Sequence, residues 1–224
     1  MKLTLFAATG GIGRHLLTRA VAAGHDVTAV VRNPATLSAE HGGVRLVTAD
    51  LTAADPTVLA DAVDKADAVL SGLGPRSIAD SGVTSRGTGA IIAAMRARDV
   101  RRIVVVSAAP VSTVPSPGRP NPPRHDPGEG FLMRNLLSPL MKSILRKHYA
   151  DLAVMEDMLR DSDLDWTVVR PPKLTDKPPT GTYRTAYGQN LPRGAVVPRA
   201  DVAHYMLRAL DQPETIRQAV GIAT

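Results

Sequence analysis

The sequence contains no cysteine, which removes disulfides, thiol nucleophiles and cysteine-based metal sites from consideration. That absence suits the cytoplasm, and cytoplasmic is the location expected. Aromatic residues are scarce, at 3% with a single Trp, and the basic residues behind the net charge of +6 are scattered along the chain. Nucleic-acid recognition calls for clustered cations and stacking rings, so no nucleic-acid partner is expected and an anionic small ligand fits better. No apolar run approaches the roughly 18 residues that cross a bilayer, so no membrane partner is expected either. The opening KLTLFAA is too short for a signal-peptide core and reads as a first strand. No His, Asp or Glu spacing suggests a metal.

What is present is ordinary for a globular protein: 44% hydrophobic and 21% charged residues over 224 positions, enough for one full core and hence one domain, 1–224. Over the first 110 residues, short β-branched runs alternate with helical patterns: KLTLFAA then IGRHLLTRAVAAG, DVTAVVR, VRLVTAD then PTVLADAVDKA, DAVLSGLG then TSRGTGAIIAAMRARDV, and RIVVVSA. This alternation predicts an α/β fold, a doubly wound parallel sheet with helices on both faces. Ile12, Leu16, Leu17, Ala20 and Val21 share one face of the first helix, and Gly24 ends it. Between residues 109 and 130 proline crowds the chain (PVSTVPSPGRPNPPRHDPGEG), which predicts a long loop, a lid or a disordered insertion. Helical periodicity returns from Phe131 to Asp161. A strand DWTVVRPP follows, then a small substrate-side segment over 173–198 carrying TGTYRTAY and GAVVP, a helix RADVAHYMLRALD and a last strand AVGIAT.

The stretch A-A-T-G-G-I-G, residues 7 to 13, follows the first strand and opens the first helix. A helix N-terminus offers unpaired N–H groups and a partial positive charge, and glycines let a phosphate approach the backbone. Thr9, Gly10, Gly11, Ile12 and Gly13 are therefore candidates for a dinucleotide pyrophosphate. Ala7 stands where the first glycine of such turns usually stands, which suggests a relaxed turn requirement. At the end of the second strand Arg32 replaces the acid that would bind a ribose 2′-hydroxyl, and a guanidinium suits a 2′-phosphate, so NADPH is expected over NADH. The alternative for Arg32 is a solvated charge at a strand end. Asp50 and Leu51 end the third strand where adenine would sit. Gly72, Leu73 and Gly74 end the fourth and Ser107 the fifth, all at carboxyl ends of parallel strands where open α/β sheets bind ligands.

These residues, with G-L-G-P-R, V-V-S-A, L-D-W-T-V-V-R-P-P-K-L-T-D-K-P-P-T-G-T-Y and D-V-A-H-Y-M-L-R-A-L, carry a resemblance over most of the chain. The sequence resembles the atypical short-chain dehydrogenase/reductase proteins of the NmrA-like NAD(P)H-binding group, within it the biliverdin-IXβ reductase/flavin reductase branch. The resemblance implies a Rossmann fold in which Thr9 to Gly13 hold the pyrophosphate, Arg32 the 2′-phosphate, and Asp50 with Leu51 the adenine. Gly74 and Arg76 would border the phosphates or substrate, and Ser107, Pro171 and Pro172 would line the nicotinamide. The proline-rich insertion after Ser107 departs from that branch, whose members have a shorter segment there.

A second departure is chemical. None of the four tyrosines has a lysine four residues on, so the Tyr-x-x-x-Lys pair that protonates an alkoxide is missing. Hydride delivery to a conjugated acceptor tolerates that absence, because charge spreads over the acceptor and solvent can supply the proton. The expected activity is thus an NADPH-dependent oxidoreductase acting on a flavin, biliverdin-like or other small planar substrate, as a monomer or weak homo-oligomer. Two alternatives stay open: a catalytically silent NmrA-like NADP(H) sensor, and an epimerase- or isomerase-like enzyme on a specialised metabolite. Ser107 is the candidate catalytic residue, steadying a polar group or relaying a proton, or else simply capping its loop. His148 is expected at the surface, Asp201 as a helix-dipole partner and Trp166 in the core.

Overall fold

The computed structural model describes residues 1–37, 43–74, 82–128 and 145–224. Arg76 and the stretch 131–144 of the expected helical pattern lie outside the described residues. Strands and helices alternate as β1 (Lys2–Phe6), α1 (Gly11–Ala22), β2 (Asp26–Val31), β3 (Arg45–Thr48), α2 (Pro56–Val63), β4 (Ala68–Ser71), α3 (Val83–Ala97) and β5 (Arg102–Val106). The second half adds α4 (Arg146–Arg160), β6 (Asp165–Arg170), β7 (Lys173–Thr175), β8 (Arg184–Tyr187), β9 (Val196–Pro198), α5 (Arg199–Arg208) and β10 (Gln218–Ala223). The main sheet has eight strands in the order β3-β2-β1-β4-β5-β6-β10-β8. All its pairings are parallel except β10 with β8, so the middle of the 173–198 segment is part of the sheet as an antiparallel edge, while β7 and β9, at its two ends, form a separate parallel pair.

The physical reason for two helical layers is visible in β1. Its side chains alternate, with Leu3 and Leu5 joining the core beneath α1 and α5, and Phe6 the core beneath α2, α3 and α4. A strand covered on both faces must be apolar throughout. Thr4, buried at 1% exposure on the second face, is tolerated because its hydroxyl donates to the Ala62 carbonyl at 2.7 Å. Chain order reverses between β1 and β4, and at that point the loops after the two strands part to leave a crevice.

The interior is also tied by a guanidinium. Arg102 at the start of β5 donates to the carbonyls of Asp165 and Ala209 and to the hydroxyls of Thr167 and Thr215, linking β5, β6 and the chain beyond α5. Asp201, expected as a dipole partner, is 1% exposed. Its carboxylate accepts from the backbone N–H of Thr180 and Gly181 and from the Thr180 hydroxyl at 2.6 Å, fastening the 173–198 segment to α5. Trp166 lies buried on β6, as a packing residue.

The described part of the insertion, 109–128, is ordered without being regular. A 3-10 turn spans Ala109–Thr113, Ser116 and Arg119 exchange backbone hydrogen bonds, and side chains fasten this stretch to the rest of the protein. The Gly118 N–H donates to Asp157 of α4 at 2.8 Å. Arg119 donates to the carbonyls of Val111 and Ser112, and buried Asp126 accepts from the N–H groups of Gly128 and Asn190. With polar partners fixed at both ends, proline's missing donors leave no backbone debt to be met by a ladder.

Candidate functional site

The Gly-rich turn is built by exclusion of side chains. Gly10 caps α1 without any side-chain hydrogen bond, and the first turn carries no acid, so the helix N-terminus faces the crevice with its N–H groups and positive dipole end unneutralised. Ala7 has φ 57°. Contrary to the relaxed turn suggested by the sequence, this position still demands the left-handed conformation, and alanine holds it at a cost of about 1–2 kcal/mol. Gly13 serves packing: a Cβ there would overlap the Ala7 carbonyl oxygen and sit 2.9 Å from the Ala8 Cα. A Cβ on Gly11 would instead meet the Arg199 side chain at 2.8 Å.

A cavity of about 480 Å³ runs along the carboxyl ends of the strands. Its lining includes Thr9, Gly10, Gly11, Ile12, Arg32, Asp50, Leu51, Gly72, Leu73, Gly74 and Ser107. Residues drawn from five separate strand ends or turns thus meet in one cleft. Three expected residues stand apart from that lining. Gly13 is buried under the turn, Pro171 is buried with its carbonyl accepting from the Ala109 N–H at 2.8 Å, and Pro172 is half-buried.

Several lining residues carry no motif that sequence reading could have used. Arg199 arrives from α5, more than 180 positions after the turn it overhangs, and pairs at 2.6 Å with exposed Asp176. Arg86, Val83 and Leu152 come from α3 and α4, and Leu174 from β7. His148 was expected at the surface, but the approach of α4 to the sheet end half-buries it in this lining. Desolvation lowers its pKa below the ordinary histidine value, against a smaller opposing pull from Asp151. The lining carries Arg32, Arg86 and Arg199 against one carboxylate, Asp50. That carboxylate is engaged by the Thr52 N–H and hydroxyl, which with Arg32 hold its pKa below the usual range. The cleft is therefore electropositive and suited to phosphates.

Beneath Ser107 lies a buried charged network. Glu156 is 1% and Arg170 4% exposed. Glu156 Oε1 accepts from Arg170 Nε at 2.9 Å and from the Ser107 hydroxyl at 2.8 Å, while Oε2 accepts from Arg160 at 2.9 Å and also from Arg170. Burial opposes the Arg170 charge, but Glu156 and, to a smaller extent, Asp126 hold its pKa above the ordinary arginine value. Nothing in the spacing of Glu156 and Arg170 announces the pair, since it forms only when α4 packs beside β6.

Among the described residues no group of three or more His, Asp or Glu could hold a metal, and no helix is long and apolar enough to cross a membrane. The chain is 28% identical to a Bacillus subtilis protein described as an uncharacterized sugar epimerase (YhfK), over 99% of this chain and 94% of that one. A short-chain dehydrogenase/reductase from Veillonella parvula, solved in complex with NADP, superposes with TM-score 0.78 at 21% identity, covering 100% of this chain and 94% of the other. The anaerobillin reductase ChuY from Escherichia coli superposes with TM-score 0.76 at 24% identity, covering 100% and 97%. Likenesses at those two identities establish the fold. A family model described as NAD(P)H-binding matches residues 7–213. That span runs from the left-handed Ala7 of the glycine-rich turn to a point beyond α5, and on it the chain belongs to the NAD(P)H-binding family.

Proposed function

We propose that the protein is an NADPH-dependent reductase that delivers hydride to a small planar, conjugated acceptor such as a flavin or a bilin. The observation that carries this reading is the continuity of the cleft. It extends from Arg32 past the Gly-rich turn to Ser107, His148 and Leu152, and the described part of the insertion, 109–128, contributes no residue to its lining. A sensor whose loop closed the reactive end would lack that space.

The residues present fit the dinucleotide. The uncapped N-terminus of α1, without a Cβ at Gly10 or Gly11, would hold the pyrophosphate, with Arg199 above it. Arg32 would hold the 2′-phosphate, Leu51 and Leu73 the adenine, and Ser107 the nicotinamide end. When bound, the cofactor supplies the hydride. His148, kept neutral by its surroundings at neutral pH, offers a single N–H hydrogen bond to charge developing on an acceptor, and water entering the cleft provides the proton. None of the four tyrosines is in the cavity lining among the described residues, which weighs against carbonyl reduction or sugar epimerisation by a phenol acid.

The test is rapid-mixing absorbance of NADPH against FMN, riboflavin, a biliverdin and a quinone in turn. Saturable oxidation by one of them supports the proposal and ranks the acceptor. Tight NADPH binding with no oxidation by any of the four would count against it and favour the sensor reading.

A further inference from the structure

We infer that Glu156 fixes Ser107 as a hydrogen-bond acceptor toward the cleft, so that Ser107 selects the nicotinamide carboxamide by receiving its N–H and does not itself release a proton. The inference rests on the dinucleotide reading above and assigns a positioning role to Glu156 that the sequence did not suggest.

A guanidinium N–H can only donate. Glu156 receives such donors on both oxygens, Arg170 Nε on Oε1 and both Arg170 and Arg160 on Oε2, so two guanidinium charges face the group as a carboxylate, the form that only accepts. The remaining contact, Ser107 Oγ to Oε1 at 2.8 Å, must therefore be donated by the serine. Ser107 has one hydroxyl proton, and this contact uses it. The backbone reinforces the arrangement, since the Ser107 N–H donates to the Val169 carbonyl at 2.7 Å and holds the residue beside β6. What Ser107 has left for the cavity it lines is lone-pair density.

An acceptor at that end of the cleft matches the amine of a carboxamide and mismatches a carbonyl oxygen or a developing anion. The earlier expectation that Ser107 could relay a proton is replaced by this polarity. A relay would need Glu156 to supply a proton while two guanidinium groups donate to its carboxylate.

The experiment compares equilibrium binding of NADP, its 3-acetylpyridine analogue, in which a methyl replaces the amine, and its thionicotinamide analogue, which keeps the amine and changes the oxygen. Calorimetric titration of the wild-type protein, Ser107→Ala and Ser107→Thr gives the dissociation constants without reliance on turnover. For the wild type and Ser107→Thr, the acetyl analogue should bind about fivefold to tenfold more weakly than NADP, the worth of one hydrogen bond, and the thio analogue within about twofold of it. In Ser107→Ala the preference for NADP over the acetyl analogue should vanish, because NADP weakens while the acetyl analogue does not. A wild type that binds the acetyl analogue as tightly as NADP, or penalises the thio analogue in a way Ser107→Ala abolishes, would overturn the assignment by showing that Ser107 is silent or donates. Failure of all three dinucleotides to bind would bring down the cofactor reading instead.

Discussion

Replacing Gly13 by alanine tests the most constrained point of the turn. The added methyl would overlap the Ala7 carbonyl oxygen and lie 2.9 Å from both the Ala7 carbonyl carbon and the Ala8 Cα. All three obstacles are backbone. Ala7 is already in a left-handed conformation at φ 57°, and its carbonyl accepts from the Gly10 N–H at 2.9 Å, so the turn cannot yield without losing that bond and lifting α1 from β1. Overpacking that a side chain can absorb costs about 1–3 kcal/mol; with backbone as the obstacle we expect about 3 kcal/mol. For a chain of this size that lowers Tm by about 6–12 °C. Two alanine substitutions serve as internal standards. Among the described residues, a Cβ on Gly74 meets nothing within 4 Å and one on Gly11 meets only the flexible Arg199 side chain, so both should melt close to wild type. Thermal unfolding followed by circular dichroism gives all three values. A Gly13→Ala protein melting within 2 °C of wild type, or as close to it as Gly74→Ala, would refute the claim that this glycine is dictated by the approach of α1 to the turn.

The remaining predictions concern charge, strain and pH. Ala7→Gly relieves a left-handed residue worth about 1–2 kcal/mol but loosens the unfolded chain by about 0.5–1 kcal/mol; a small net rise in Tm is expected, and a fall would show that the Ala7 conformation is not strained. Arg32→Ala should weaken NADPH about tenfold to a hundredfold, the worth of a charge-assisted hydrogen bond, while NADH stays within about twofold. Arg199→Ala, placed over the turn, should weaken both dinucleotides alike; titrations in which Arg32→Ala weakens NADH equally would remove its assignment to the 2′-phosphate. Glu156→Ala leaves Arg170 buried without its carboxylate and should cost about 3–5 kcal/mol by denaturant unfolding, and a loss below about 1 kcal/mol would mean that the pair is not buried as described. His148 has a folded-state pKa below the ordinary histidine value of about 6.5 because burial disfavours the imidazolium. Between the two values the unfolded chain binds the extra proton, so stability is lost as pH falls from about 6.5; His148→Asn should shrink that loss of Tm, and an unchanged slope would assign it to His15 and His204, whose pKa values burial also lowers.

The order of strands and helices was legible because burial on both faces forces an apolar run and each helix needs one apolar stripe, and both are local patterns. The site was legible where motif and strand end coincide: Thr9 to Ile12, Arg32, Asp50, Leu51, Gly72 to Gly74 and Ser107 are brought to one cavity, because a parallel sheet delivers every strand's carboxyl end to the same edge. Other features needed the tertiary structure. Arg199 reaches Gly11 only because α5 packs beside α1, and β8 joins the sheet only because β10 offers an edge for antiparallel pairing. The polarity of Ser107 depends on Glu156 and Arg170, residues 49 and 63 positions further along the chain. The 2.8 Å hydrogen bond that sets it exists only after α4 closes over β5 and β6. Sequence by itself determined which strand ends and which glycine-rich turn meet the cleft, since periodicity and glycine geometry act over a few residues. Which side chains are charged, neutral, donating or accepting inside it was decided by packing, because burial and long-range partners are properties of the assembled layers.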